Sequence, residues 1–338
     1  MAVKSILPLT CTNELLENAF AFLDSQILDF NSVHGHLLLL SVILEKSEKE
    51  EIIINMRQHC DKWQWINMVE CDVIQSLYFD LCYRVYFGAS KDELHFEARH
   101  TLWNLSRQGL MKQIGLSSYG SSTSKTRIYL SGINEFCSEA DVSILDLVMH
   151  PFYEVQLATF EYLISAVVDE FLNLPAVLEA CLCLVRSKET KEEVLRFCSD
   201  FLGKHSKSIH SEKCLLSDIS LYEENIMANH LIDVYLPCMG SIMAQVCCQT
   251  SYNHKLGNIF IEKFMEMLKI HTDEGQPKFI RLSAVKAISN SLLIDSSTDK
   301  SVLLPLLFHV NQLMGDEEDD IRLLSGNMMA SFLNMVRA

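Results

Sequence analysis

The chain is poor in the residues that turns require, with 12 glycines and 6 prolines among 338 residues. Ordinary proteins carry roughly 7% glycine and 5% proline. Sheets and barrels of this length need many tight turns, and most tight turns need those two residues. The shortage argues against a β architecture and for helices joined by brief polar links. Basic charge is short as well: 28 lysines and arginines face 44 aspartates and glutamates, a net charge of −16. A polyanion is gripped mainly through electrostatic attraction, so the chain acting alone is a poor candidate for holding RNA or an anionic membrane. One local basic strip, Lys204, His205, Lys207, His210 and Lys213, is diluted by Glu212 and Asp218 and reads as a solvated loop.

The frames of common chemistry are missing too. No two glycines are separated by a single residue, and neither G-x-x-x-x-G-K-[ST] nor G-x-S-x-G occurs. These exclude the usual cradles for dinucleotides, methyl donors and nucleoside phosphates, and the nucleophile elbow of α/β hydrolases. The reading is of a non-enzyme with no cofactor. The 12 cysteines form no Cys-x-x-Cys pair and sit in apolar runs such as Cys181-Leu182-Cys183. They are expected to be buried, reduced thiols. The start, MAVKSILPLT, lacks a signal-peptide pattern, and no apolar run approaches the roughly 20 residues of a membrane helix. A cytoplasmic protein without membrane contact is expected.

What the sequence has in abundance is helical periodicity, with 49% hydrophobic residues. Leu15, Leu16, Ala19, Phe20 and Leu23 line one face of a first helix, and an apolar helix follows from Asn31 or Ser32. Further helices are predicted along the rest of the chain, including 217–235 and 238–250, parted before Pro237. The Ser/Gly-rich stretch 117–132 is expected to be a flexible loop. It divides residues 1–116 from a helical block at 133–338.

Four helix openings look alike: FEAR before HTLWNL, YEVQ before LATFEYL, FIRL before SAVKAI, and DIRL before LSGNMM. Arg281 and Arg322 are 41 residues apart, within the roughly 40–47 residue period of paired-helix repeats. Arg99 and Gln156 complete the set at a looser spacing. One helix pair cannot bury its face alone, whereas stacked pairs share a core. The fold class is therefore all-α, a HEAT/armadillo-like helical-repeat solenoid, with Arg99, Gln156, Arg281 and Arg322 as candidate rungs of a ladder between repeats. An irregular bundle is the less favoured alternative.

The segment NSVHGHLLLL, residues 31–40, holds the one metal-like pair, His34 and His36. Two residues apart on a helix they point about 200° away from each other, so no shared ion is expected. Gly35 between them is expected to let a neighbouring helix approach, with His34 hydrogen-bonded locally. Trp63 and Trp65 are expected to pack in the core, and the acidic run Asp316–Asp320 to offset the positive end of the helix it precedes.

Asn31, His34, Gly35, Leu37 and Leu38 match an Asn-x-x-His-Gly-x-Leu-Leu element, and with HPFYEVQLATFEYL, PKFIRLSAVKAI and EEDDIRLLSGNMM after it the chain resembles the thyroid adenoma-associated protein (THADA) family. The likeness places residues 1–116 at the end of the family's signature domain with the first repeats. It covers only the C-terminal portion of those longer proteins. It implies an α-helical scaffold without catalytic residues or cofactor, whose yeast relative is the accessory subunit of a tRNA 2′-O-methyltransferase. The implied partner is an FtsJ-like methyltransferase subunit acting on nucleotide thirty-two of the anticodon loop. Any tRNA contact is expected to be indirect or to need the arginine-rich region that lies upstream of this chain. A generic helical-repeat adaptor in another intracellular pathway is the alternative function.

Overall fold

The computed structural model describes residues 12–46, 50–87, 95–112, 122–133, 135–136, 142–165, 173–205, 215–228, 231–248, 254–291 and 300–337. Among them the secondary structure is entirely helical, and the helices pack against neighbouring helices, so the all-α helical-repeat expectation holds. The chain divides into two compact units, Met1–Tyr162 and Leu163–Ala338.

Unit one contains α1 (Thr12–Asp24), α2 (Phe30–Lys46), α3 (Glu50–Cys60), a 3₁₀ segment (Asp61–Met68), α4 (Asp72–Tyr86), α5 (Phe96–Lys112), α6 (Ser122–Gly132), α7 (Ile144–Val148) and most of α8 (Tyr153–Ser165). Helices α2, α4 and α6 touch in succession as one layer, while α1 lies on α2, α3 on α4 and α5 on α6. The core of the first pairs is one continuous cluster that includes Leu23, Leu37, Trp63, Tyr78 and Phe79.

Helix α6 corrects the expected loop at 117–132. Residues 117–121 lie outside the described residues, but 122–132 are helical. The opening Ser-Thr-Ser run has modest helix propensity and reads as linker. Packing decides otherwise, because Thr126, Ile128, Tyr129 and Leu130 are buried. Lys125 is buried with them, its ammonium 4.9 Å over the Phe79 ring. Gly109 of α5 makes room, since a Cβ there would come within 2.9 Å of the Lys125 chain.

Unit two continues with α9 (Leu174–Arg186), α10 (Glu192–Lys204), α11 (Leu215–Met227), α12 (Ile232–Cys248), α13 (His254–His271), α14 (Lys278–Ser291), α15 (Lys300–Leu313) and α16 (Asp319–Arg337). Two layers alternate: α10, α12, α14 and α16 touch in succession, and so do α11, α13 and α15. This is the stacking of helix pairs that the repeated openings call for.

Helix α12 runs through Pro237, where the sequence reading parted two helices. Proline removes one hydrogen bond, to the residue four earlier, and that residue is Asp233 in the helix's first turn. Against this small loss stands burial of every residue from 234 to 244. Gly240 lies so close to the Ala287 backbone that any Cβ would collide with it, which lets α12 and α14 meet nearly backbone to backbone. Buried Asn290 then donates to Pro237 O and Ser241 Oγ, both at 3.1 Å.

Candidate functional site: charged rungs between helix pairs

Arg99, Gln156, Arg281 and Arg322 each stand fourth in their helix, in α5, α8, α14 and α16. From that place a long side chain reaches the loop that leads into its own helix and, beyond it, the next pair. Arg281 does both. Its Nη1 donates to Glu274 O at 3.1 Å, and its Nη2 donates to Asp316 Oδ1 at 3.0 Å. The Nε lies 2.8 Å from Asp316 Oδ2, an ion pair by distance rather than an aligned hydrogen bond. Both side chains are almost fully shielded, at 3% and 1% exposure. Hydrogen bonding to Asp316 raises the already high pKa of the guanidinium further, so Arg281 stays charged at every physiological pH.

Asp316 also accepts from Glu318 N at 2.9 Å, capping the approach to α16. The acidic run thus does more than offset a helix end. Lys278 adds a second rung from α14, 2.9 Å from both Glu318 and Asp320. Arg322 repeats the local half of the pattern, donating to Asp316 O at 2.6 Å and Glu317 O at 2.8 Å, and meets Asp319 of its own first turn.

Arg99 is buried and pairs with Glu135 at 2.7 Å, 36 residues on. Gln156 is buried in α8 and, being uncharged, makes no ion pair. Besides Lys278, further rungs escaped the sequence reading, among them Arg196 to Asp233 between α10 and α12 and Lys263 to Glu223 between α13 and α11, each at 2.8 Å. Their spacings of 37 and 40 residues were the available signal.

The segment NSVHGHLLLL lies within α2. Leu37 and Leu40 are buried, whereas Asn31, Gly35 and Leu38 are exposed along one side. The expected packing at Gly35 is not there: a Cβ at that position would find nothing within 4 Å. The local hydrogen bond expected of His34 belongs instead to His36, whose Nδ1 is 2.7 Å from Ser32 O and whose ring stacks on Phe22 at 4.4 Å. Turn geometry explains the swap, because only one of two residues so spaced can face the α1 side.

Asp24, at the end of α1, is the densest polar node of unit one. It accepts from Trp63 Nε1 at 2.8 Å and Lys62 Nζ at 3.1 Å, and lies 3.0 Å from His59 Nδ1. Burial pushes its carboxyl pKa up, but the bonds from His59, Trp63 and Lys62 outweigh that and hold it below the ordinary value. Trp63 is buried and Trp65 half-buried, as expected of core packing.

Other groups show no reactive bias. Cys60 is raised by its hydrogen bond to Cys82 and by burial, Cys198 by burial and then Cys181, and Cys238 is pushed up to about 12 by burial. Thiols so placed stay protonated and are weak nucleophiles. Cys60, Cys82, Cys181, Cys198 and Cys238 are buried free thiols as expected, whereas Cys71 is half-buried and Cys183 is exposed on α9. Among the described residues no three His, Cys, Asp or Glu side chains are grouped to hold a metal ion, and no helix is long and apolar enough to cross a membrane. A cavity of about 460 Å³ opens beside the loop between α9 and α10, where Lys188 and Lys191 are offset by Glu189 and Glu192. Of the basic strip, Lys207, His210 and Lys213 lie outside the described residues.

No family model, curated protein or solved structure matches the chain.

Proposed function

We propose that the chain is a non-catalytic helical scaffold of the kind the THADA-like sequence elements imply, holding an FtsJ-like methyltransferase subunit for 2′-O-methylation of nucleotide thirty-two in the tRNA anticodon loop. The observation that carries this reading is the Asn31, His34, Gly35, Leu37 and Leu38 element, followed in order by the three repeat openings. Paired helices joined by charged rungs support it, because a stacked array offers long surfaces for partners rather than a closed pocket. The net charge of −16 supports placing tRNA contact with the partner or with an upstream region, in a cytoplasmic complex.

The test is affinity purification of the native protein, followed by mapping of ribose methylation in tRNA from cells lacking the gene. Recovery of an FtsJ-type enzyme together with loss of methylation at that nucleotide is expected. Intact methylation overturns the reading. Recovery of trafficking or cytoskeletal proteins without a methyltransferase replaces it with the adaptor function.

A further inference from the structure

The cavity beside the α9–α10 link lies wholly within unit two, and the proposed scaffold has no need of it. Four elements meet there: the end of α9 with its link, the first turns of α10, the second half of α11 and the start of α12. At about 460 Å³ it falls within the roughly 300–1,000 Å³ of small-molecule sites. Leu195 of α10, Leu221 of α11 and Leu231 ahead of α12 form its apolar side, Leu195 being only 4% exposed.

Two observations mark the cavity as built for an occupant. The first is Leu231, whose φ of 45° lies in the left-handed region that a leucine rarely enters. Glycine or asparagine would hold that backbone more easily, but neither would bring an apolar side chain to the cavity. Strain of this kind collects where a side chain must be aimed at a ligand. The second is Tyr235, which stands fourth in α12, the place that Arg281 holds in α14. It lines the cavity at 7% exposure, and its hydroxyl has no hydrogen-bond partner among the described residues. A phenol so enclosed ordinarily finds a partner. Burial raises its pKa, so it keeps a proton to donate.

The rim carries the charge. Lys188 and Lys191 line it with Glu189 and Glu192, and Glu192 already meets Arg196 at 3.4 Å. That leaves Glu189 against two ammonium groups, a local positive surplus in a chain of net charge −16. Lys191 is also the N-cap of α10 and, being a donor, closes none of that helix's first N–H groups. Amides and ammonium groups together favour an oxyanion at the rim, and the leucines an apolar body behind it.

We propose that this cavity binds a monoanionic carboxylate with an aliphatic body, its head held by Lys188, Lys191 and the first turn of α10 and its tail laid on Leu195, Leu221 and Leu231. The Tyr235 hydroxyl donates to the same head. A single negative charge matches the surplus at the rim, whereas a phosphate dianion exceeds it and leaves the leucines bare. A free medium-chain carboxylate and the C-terminus of a peptide ending in an aliphatic residue share this chemistry.

Isothermal titration calorimetry of the full chain tests the site with octanoate, octanol, and a pentapeptide ending in leucine with either a free or an amidated C-terminus. One-to-one binding of octanoate or of the free peptide is expected, with the uncharged counterpart at least about tenfold weaker. The tighter of the two carboxylates identifies the source. Tyr235→Phe is expected to weaken binding about tenfold, as is Lys188→Gln combined with Lys191→Gln. Leu231→Asn suits the left-handed backbone but withdraws the apolar side chain, and is expected to abolish binding. Circular dichroism of each variant reads folding separately, and Tyr235→Phe, which removes one oxygen, should keep full helicity. No heat from either carboxylate overturns the proposal. So does octanol or the amidated peptide binding as tightly as its acid, or binding unchanged in both Tyr235→Phe and the double lysine variant.

Discussion

The two units obey one packing rule and join their helix pairs with different chemistry. Unit one sets rings beside its ion pairs Arg99–Glu135 and Arg127–Glu161: all three tryptophans lie in it, Trp103 stacks on Tyr129 at 5.1 Å, and Trp63 donates to Asp24. Unit two joins them with charge, through Arg196–Asp233, Lys263–Glu223 and Arg281–Asp316. Rings contribute by buried area and are indifferent to salt. Exposed charged rungs contribute little individually and are screened, so the shielded Arg281–Asp316 pair matters most in unit two. The lesson is that the repeat specifies where neighbours meet and leaves open what they meet with.

Tryptophan fluorescence therefore reports unit one alone, whereas far-UV circular dichroism reports both units. The largest separation between the two signals is expected from Trp103→Ala. That change removes a fully buried ring and the donor to Tyr129 O at 2.9 Å, and is expected to cost about 3–5 kcal/mol. The fluorescence transition should fall well below the later part of the dichroism transition. Coincident shifts would show that the units unfold together.

Arg281→Ala strands the Asp316 carboxylate and is expected to lower unit two by about 3 kcal/mol. The low end of the usual cost applies because Glu317 beside the rung is 81% exposed, so the cover is thin. Arg281→Met with Asp316→Leu should recover most of the loss. Failure of that pair to recover it would make the rung a matter of specificity rather than of burial.

Acid sharpens the contrast. His271 and His309, at the junction of α13 and α15, are held below the ordinary histidine pKa by burial. The unfolded chain therefore binds protons before the folded one does. Their contribution is fully present above about pH 6.5 and is lost as pH falls from there through the folded values. Asp24 in unit one is lowered relative to 3.8, so its contribution persists until pH falls below that value. As pH falls below about 6.5 the late dichroism transition should weaken more than the fluorescence transition, because His271 and His309 lie in unit two against one described histidine so held in unit one, His150. His309→Gln should flatten that slope.

The smallest expected effect is a gain. Gly35→Ala places a methyl group in open space on an exposed helix face and should raise unit one by up to about 1 kcal/mol. Urea melts read by fluorescence measure it, and a loss would mean that the α2 face is already occupied in the monomer.

Helical class and stacking were legible because the 3.6-residue pattern and the shared fourth-position side chains are local signals. Arg281 was legible as a rung, but Asp316 was read as a helix-end charge, since a partner 35 residues away leaves no local trace. Helix α6 was missed because serine, threonine and lysine read as linker until the pocket formed by α4 and α5 is known. The break placed at Pro237 failed for a related reason: enclosure outweighed one lost hydrogen bond. Gly35 was read as a buried contact because composition does not reveal which side of an apolar helix faces out. Asp24 with His59, Lys62 and Trp63 had no signal at all, being assembled across 35 to 39 residues.

Those separations carry one more consequence. The rungs of unit two span 35, 37, 40 and 42 residues, so each closes as soon as the next helix pair has been synthesised. A chain held together by such near-neighbour contacts folds quickly for its length and can fold in order as it leaves the ribosome. Asn290 to Pro237 and Lys286 to Asp200, at 53 and 86 residues, must wait for α14. The arrival of α14 is then the step that converts a growing row of hairpins into a cooperative unit.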